Sequence, residues 1–311
     1  MFQPLLERLN KEHGYEEKSA FMKFGTWAFG GLNQIATMIV VTGGAYTILA
    51  SEIISMNGIE VTWLNWYLLT APPIYFAMFL TTIVMWKYWG ISKLKNEPLE
   101  DFDFDKKMPL TKEQKWVIFF LGLTIFLWSV GDFIGMPDFV PPILMIAILS
   151  IPYFKLVSDD DLRNYDWENF LLIGCALSLS YLLQKTGTGE LVSNALFEVL
   201  PTTSYYWVNV LIFMGLILVI RMFFVTPSSA FPVIIPVAIA FGTKIGMESI
   251  DVVFVSMILI GAVVFPSIQS PTMHIAYQTH VFRQKEHFFI SATMLFFAII
   301  SCLLAIEFWW H

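Results

Sequence analysis

Charge is what this chain has least of. Only 14% of its 311 residues are Asp, Glu, Lys or Arg, where soluble globular chains carry roughly 25%. That shortage excludes an ordinary water-soluble domain. Cysteine is scarce too: Cys175 and Cys302 are the only two. Both lie in apolar runs and read as small buried hydrophobes, not as a disulfide or metal ligands. There is no basic cluster suited to nucleic acid, no zinc-ligand spacing, no phosphate loop and no nucleophile–base pair, so no enzyme chemistry is visible. Residues 1–19 are too charged to hold the apolar core of a cleavable signal peptide.

What the chain does have is apolar length. Hydrophobic residues make up 57% and the mean hydropathy is +0.66. Aromatics reach 16%, with many Trp and Tyr at the ends of apolar runs, where membrane interfaces place them. The fold class is an all-α polytopic membrane protein. Apolar runs fall at 21–41, 63–86, 116–130, 139–154, 170–184, 252–264 and 288–310. The run at 63–86 contains Pro72 and Pro73, which predict a kink. Residues 90–115 form a charged linker, and 158–168 are acidic. The Asp159-Asp160-Asp161 run reads as a solvated loop before a divalent-metal site.

Residues 206–242 are the most unusual stretch. An apolar arm leads to a polar tip, Thr226-Pro227-Ser228-Ser229, and a second arm carries Pro232 and Pro236. Backbone of this kind is tolerated in lipid only where protein or a watery cavity surrounds it. A re-entrant hairpin satisfies that condition; the plainer alternative is two ordinary spans joined by a turn. Two more interruptions share the same chemistry, a hydroxyl beside Gly or Pro. One is Thr42-Gly43-Gly44; the other is Ser270-Pro271-Thr272, followed by His274. Carbonyls freed there can hold a cation, and freed N–H groups at half-helix N-termini can hold an anion. A healed kink explains any single interruption, whereas three in one chain point to a site. His274 is either a satisfied core residue or part of that site. Arg221 is expected to snorkel or to bond the hairpin-tip carbonyls in preference to pairing with a substrate.

Lys and Arg placement sets the orientation. With the linker in the cytoplasm, every basic residue falls on that side except Lys185 and Lys244, outside, and Arg221, within the hairpin. Residue 311 is then external.

These segments resemble the divalent anion:sodium symporter family of dicarboxylate, citrate and sulfate transporters. Asp166-Trp167 and the apolar run after it look like that family's pre-hairpin helix. Thr226-Pro227-Ser228-Ser229-Ala230, running on to Ile235-Pro236, is similar to its Ser-Asn-Thr hairpin signature. Ser270-Pro271-Thr272-Met273-His274-Ile275-Ala276-Tyr277 is similar to its Thr-Pro-Pro-Asn-x-Ile-x-Tyr break, and Thr42-Gly43-Gly44 holds the matching place in the first repeat.

The resemblance implies two inverted repeats. Residues 1–88 would be the remainder of the first, 89–115 the cytoplasmic linker, and 116–311 the second, with its hairpin at 206–242 and a broken helix at 251–280. Residues 1–5 look like the second arm of a first hairpin whose tip and preceding helices are missing. Residues 1–311 alone are therefore expected not to transport. The resemblance also implies cation-coupled movement of a small anion across the cell (inner or plasma) membrane, with Na+ or H+ as coupling ion and no other cofactor. A homodimer, or a separately encoded N-terminal half, would be the protein partner. The site would comprise Thr226, Pro227, Ser228, Ser229, Ser270, Pro271, Thr272, His274, Thr42, Gly43 and Gly44. The Asn of both second-repeat motifs is replaced, by Pro227 and Met273. Hydroxyls and backbone carbonyls, or a proton, would have to take over cation coupling. The alternative from another class is a non-transporting membrane subunit or remnant.

Overall fold

The apolar runs fold into helices, and the chain unwinds near Thr42-Gly43-Gly44 and ahead of Ser270-Pro271-Thr272. The computed structural model describes residues 3–94, 110–137, 139–154, 156, 158, 160, 163–164, 167–199 and 203–310, and no strand occurs among them. The middle of the linker and parts of the acidic run, including Asp159, Asp161 and Asp166, lie outside the described residues.

Helix α1 (Gln3–Glu12) packs on α2 (Ala20–Trp27), whose N-terminus is capped by Ser19. A π-helical turn at Ala28–Leu32 leads into α3 (Asn33–Ala36). The chain then unwinds through two 3-10 turns separated by extended Val40, passes extended Gly44, and resumes as α4 (Ala45–Met56). The break is thus wider than the Thr42-Gly43-Gly44 signal and opens several residues earlier. Its cause lies in the next helix, α5 (Trp63–Trp89). There Trp66 Nε1 donates to the Met38 carbonyl at 3.0 Å and Thr70 Oγ1 to the Ile39 carbonyl at 2.9 Å, so α5 takes acceptors that a continuous helix would keep.

Helix α5 carries Pro72 and Pro73 inside one uninterrupted helix. Each proline lacks the N–H that would bond the carbonyl four residues earlier, which orphans Leu68 and Leu69. Both carbonyls are taken from the far end of the chain. Trp309 Nε1 donates to Leu68 and Trp310 Nε1 to Leu69, each at 2.9 Å.

After the linker come α6 (Lys112–Ile134), with a Thr111/Gln114 capping box, and α7 (Val140–Leu149). By composition the apolar run at 139–154 suits a membrane span. Its helix has ten residues, about 15 Å, against a hydrocarbon core of about 30 Å, so α7 does not cross on its own. The helix α8 (Trp167–Lys185) turns at Gly187, which has φ +68°, into α9 (Thr188–Val199).

The hairpin is α10 (Tyr206–Arg221) and α11 (Pro227–Lys244). The second broken segment is α12 (Ser249–Ala262), an irregular stretch 263–270, and α13 (Pro271–Gln278); α14 (Gln284–Phe308) follows. Residues 251–264 are all buried, as expected of a helix apolar all round. Helices α5, α6 and α14 are long and apolar enough to cross a membrane. Helix α6 turns Phe119, Phe126 and Phe133 outward, as a lipid-facing surface does. The chain is an all-α polytopic membrane protein.

Two antiparallel pairings organise the centre. Helices α5 and α14 run side by side, with Trp89 near Glu286 at one end, Ser301 donating to the Pro73 carbonyl midway, and the two Trp–Leu bonds at the other end. Lys23 adds an ion pair to Glu286 at 2.7 Å. The two broken segments also cross antiparallel. Gly30 meets Thr272 and Ala276, Gln34 meets Ser270, Met38 meets Gly261, and Tyr46 Oη donates to the Met257 carbonyl at 2.8 Å. Gly30 allows the closest approach, since a Cβ there would lie 2.6 Å from the Ala276 Cβ and 3.2 Å from the Thr272 carbonyl oxygen. Gly30→Ala should therefore destabilise the protein by about 1–3 kcal/mol, despite the roughly 1 kcal/mol that Ala gains over Gly in a helix. Thermal unfolding in detergent checks this; an unchanged or raised midpoint would show that the crossing is looser than drawn.

Candidate functional site

The hairpin tip is built by its own capping residues. Thr226 is the N-cap of α11 and Pro227 its first residue, where a missing N–H costs nothing. Thr226 Oγ1 accepts from Ser229 N at 3.2 Å, Ser229 Oγ accepts from Thr226 N at 3.3 Å, and Ser229 Oγ donates to the Thr226 carbonyl at 2.9 Å. Those two hydroxyls are spent on holding the turn. Ser228 is different. It is half-buried, and its hydroxyl has no hydrogen bond among the described residues. Pro232, four residues on, has no N–H for the Ser228 carbonyl. Ser228 thus offers both a free hydroxyl and a carbonyl without its regular helical partner.

Arg221 fastens this tip to the break at 263–270. It is fully buried, and its guanidinium donates to three carbonyls. Nε bonds Ile260 at 2.9 Å, one terminal nitrogen bonds Phe224 at 2.6 Å, and the other bonds Gln269 at 3.2 Å. Gln269 Nε2 also donates to the Phe224 carbonyl at 3.3 Å. Arg221 therefore serves the hairpin tip, as expected, and ties it to the end of α12 and to the residue before Ser270. The planar fork of Arg, with five donors, suits this three-way role. Since α12 and α13 are the two halves of one interrupted segment, the tip is held at the middle of that segment, which is the geometry of a re-entrant hairpin.

Ser270 caps α13 by accepting from Met273 N at 3.2 Å, and it donates to Gln34 Oε1 at 2.9 Å. Thr272 Oγ1 donates to the Gly30 carbonyl at 2.9 Å. Ser270 and Thr272 thus turn toward residues 30–34, and Pro271 opens α13. His274 lies 3.5 Å by Nδ1 from Ser267 Oγ and 2.9 Å by Nε2 from the Gln278 amide. Two further carbonyls of the break are taken by α14: Ser291 Oγ donates to Val264 at 3.1 Å, and His287 Nε2 bonds Phe265 at 3.0 Å.

At the first break, Thr42 Oγ1 accepts from Trp63 Nε1 at 3.2 Å. Gly43 lies so close to the Thr37 carbonyl that a Cβ would collide with it. Gly44 N donates to Thr47 Oγ1 at 3.2 Å. This break meets α5 and reaches the hairpin through Tyr46, whose ring lies edge-on to Phe231 of α11 at 5.5 Å. The structure thus brings the tip to the third break, and the third break to residues 30–34, while Thr42, Gly43 and Gly44 lie beyond α3, past the 3-10 turn at Thr37–Ile39.

Two amide side chains at the breaks were not singled out from the sequence: Gln34 and Gln269. Gln269 is buried, and its Oε1 has no hydrogen-bond partner among the described residues. A Gln inside an apolar run is the signal that could have found both, since polar groups at membrane depth are functional by default. Among the described residues no three His, Cys, Asp or Glu side chains gather as a metal cluster. The polar groups at the breaks are hydroxyls, amides and carbonyls, which suit a monovalent cation or a hydrogen-bonded anion.

Comparison with known proteins agrees with this chemistry. An uncharacterized transporter of Methanocaldococcus jannaschii is 24% identical over 212 residues, covering 66% of this chain and 47% of the relative. An uncharacterized transporter of Haemophilus influenzae is 21% identical over 214 residues, covering 67% and 44%. The chloroplastic dicarboxylate transporter 2.2 of Arabidopsis thaliana is 20% identical over 177 residues, covering 54% and 32%. The chain spans less than half the length of these curated relatives. The family model described as the sodium:sulfate symporter transmembrane region matches residues 7–311. With nearly every residue inside that match, the chain belongs to the sodium:sulfate symporter family of membrane transporters, the divalent anion:sodium symporters, and not to a family of enzymes.

Proposed function

We propose that this chain moves a small anion, dicarboxylate- or citrate-like or sulfate-like, across the cell (inner or plasma) membrane by alternating access, driven by Na+ or H+. The anion would sit between the hairpin tip and the third break. One observation carries the reading: the tip is fastened to the break by Arg221, beside two polar groups without partners among the described residues, the Ser228 hydroxyl and Gln269 Oε1. Desolvating an anion there is offset only by donors that are not already committed, and Ser228 supplies one. As in the family, the site is a proposal for the assembled protein, whatever further chain or second copy completes it.

A second reading, a non-transporting membrane subunit, is favoured by a different observation. The carbonyls of Ile260, Val264, Phe265 and Gln269 already accept from Arg221, Ser291 and His287, which leaves fewer acceptors for a coupling cation.

Ligand-dependent thermal stabilisation separates the two. Purified protein is heated with succinate, citrate or sulfate, in sodium or potassium and at several pH values. Hydrogen bonds to charged groups are worth about 1.5–3 kcal/mol, so Ser228→Ala should weaken binding by roughly ten- to a hundredfold at 1.4 kcal/mol per tenfold. Its melting temperature without ligand should stay close to wild type. Ser270→Ala should instead lower that melting temperature, by the loss of a helix cap worth about 1 kcal/mol. If an anion stabilises wild type and Ser228→Ala equally, the site lies elsewhere. If no anion stabilises wild type, the second reading gains.

A further inference from the structure

The two repeats fasten their broken segments in the same way, with one difference that bears on protons. In the first, Trp66 Nε1 donates to the Met38 carbonyl, while Thr70 Oγ1, four residues on, bonds the Ile39 carbonyl and its own helix at Trp66. In the second, His287 Nε2 bonds the Phe265 carbonyl, while Ser291 Oγ, four residues on, bonds the Val264 carbonyl and its own helix at His287. The indole can only donate. The imidazole has a second nitrogen, and His287 Nδ1 is buried with no hydrogen-bond partner among the described residues. His287 is 5% exposed, and its ring lies 5.0 Å from that of Tyr277 in α13, within the roughly 6 Å over which a cation is attracted to an aromatic face.

We propose that His287 is a proton-binding site of the second repeat. A proton taken up on Nδ1 converts the neutral ring, which donates from Nε2 to Phe265, into an imidazolium that keeps this bond. It thereby places a positive charge against α13, the helix capped by Ser270. The linkage to an anion rests on the function proposed above; the proton site itself does not. Few other ionisable groups face the ring. Glu286 is committed to Lys23 of α2, to Trp89 of α5 and to its own helix cap at Arg283 N. Tyr88 of α5 packs on Phe289. Asp251, the titratable residue of α12, sits in that helix's first turn, at the end away from the break. His274 of α13 is engaged with Ser267 and Gln278. Tyr277 is the titratable side chain in ring contact with His287.

The test is a histidine titration by 15N NMR of the protein in nanodiscs, comparing wild type with His287→Gln, which keeps a donor for Phe265 but cannot titrate. The signal missing from the variant belongs to His287. It should convert from the Nε2–H tautomer to the doubly protonated form between pH 5 and 8, the range in which His titrates. Linkage is reciprocal, so succinate or sulfate that binds the protonated form about tenfold tighter should raise the midpoint by about one pH unit. A His287 signal that keeps one tautomer across this range overturns the proton site. If His287 titrates but its midpoint ignores an anion that measurably stabilises the protein, the coupling half fails. If no anion binds at all, the function proposed above fails, while the titration still decides the proton site. Should His287→Gln not fold, selective 15N-histidine labelling with His13→Gln, His274→Gln, His280→Gln and His311→Gln assigns the signal by elimination.

Discussion

Replacing Arg221 with Met should cost on the order of 3–5 kcal/mol of stability, because each buried carbonyl left unpaired is worth about 1–3 kcal/mol. Two would be left unpaired, at Ile260 and Gln269, while the Phe224 carbonyl would keep only its bond from Gln269 Nε2. Methionine fills much of the volume but donates nothing, so the loss is one of hydrogen bonds more than of packing. Arg221→Lys should fall between the two, since an ammonium lacks the planar fork that reaches three separated acceptors. Thermal unfolding in detergent, wild type against both variants, gives the order directly. A loss below about 1 kcal/mol for Arg221→Met would mean that water or backbone shifts satisfy those carbonyls. Because Arg221 joins the hairpin tip to the third break, the same variant should also lose any anion-dependent stabilisation at temperatures where it remains folded.

The second large effect is conditional. Trp310→Phe keeps an aromatic ring but removes the donor to the half-buried Leu69 carbonyl, leaving that acceptor unpaired at a cost of about 1–3 kcal/mol. That carbonyl is orphaned only because Pro73 has no N–H. In a Pro73→Ala background the helix can supply the missing bond, and Trp310→Phe should then cost less than about 0.5 kcal/mol, the limit expected of uncoupled sites. The four proteins of this cycle, compared by thermal unfolding, give a coupling of at least about 1 kcal/mol if the reading is right. Equal losses in both backgrounds would show that the indole N–H and the proline act independently.

Much of the candidate site was legible because hydroxyls, Gly and Pro have few reasons to occur together at membrane depth. Thr226-Pro227-Ser228-Ser229 and Ser270-Pro271-Thr272 both open helices, as their cap chemistry implies. What was illegible is long-range. The unwinding from Thr37 to Val40 carries no Gly or Pro; it is set by Trp66 and Thr70 on the next helix. The partners of Ser270 and Thr272 are Gln34 and the Gly30 carbonyl, 236 and 242 residues away. No local pattern encodes that pairing. The run at 139–154 misled for the opposite reason: its composition suits a span, but its helix stops at Leu149.

The paired fastenings at Trp66/Thr70 and His287/Ser291 have a mechanical consequence. Each broken segment is tied to the long span that follows it, and those spans, α5 and α14, are joined at both ends and in the middle. Both broken segments are thereby tied to one pair of joined spans, so a load on either break is shared with the other through α5 and α14. Helix α6, by contrast, meets this pair mainly through α5, and α7 packs on α6. Disturbing α6 or α7 should therefore leave the fastenings at both breaks untouched.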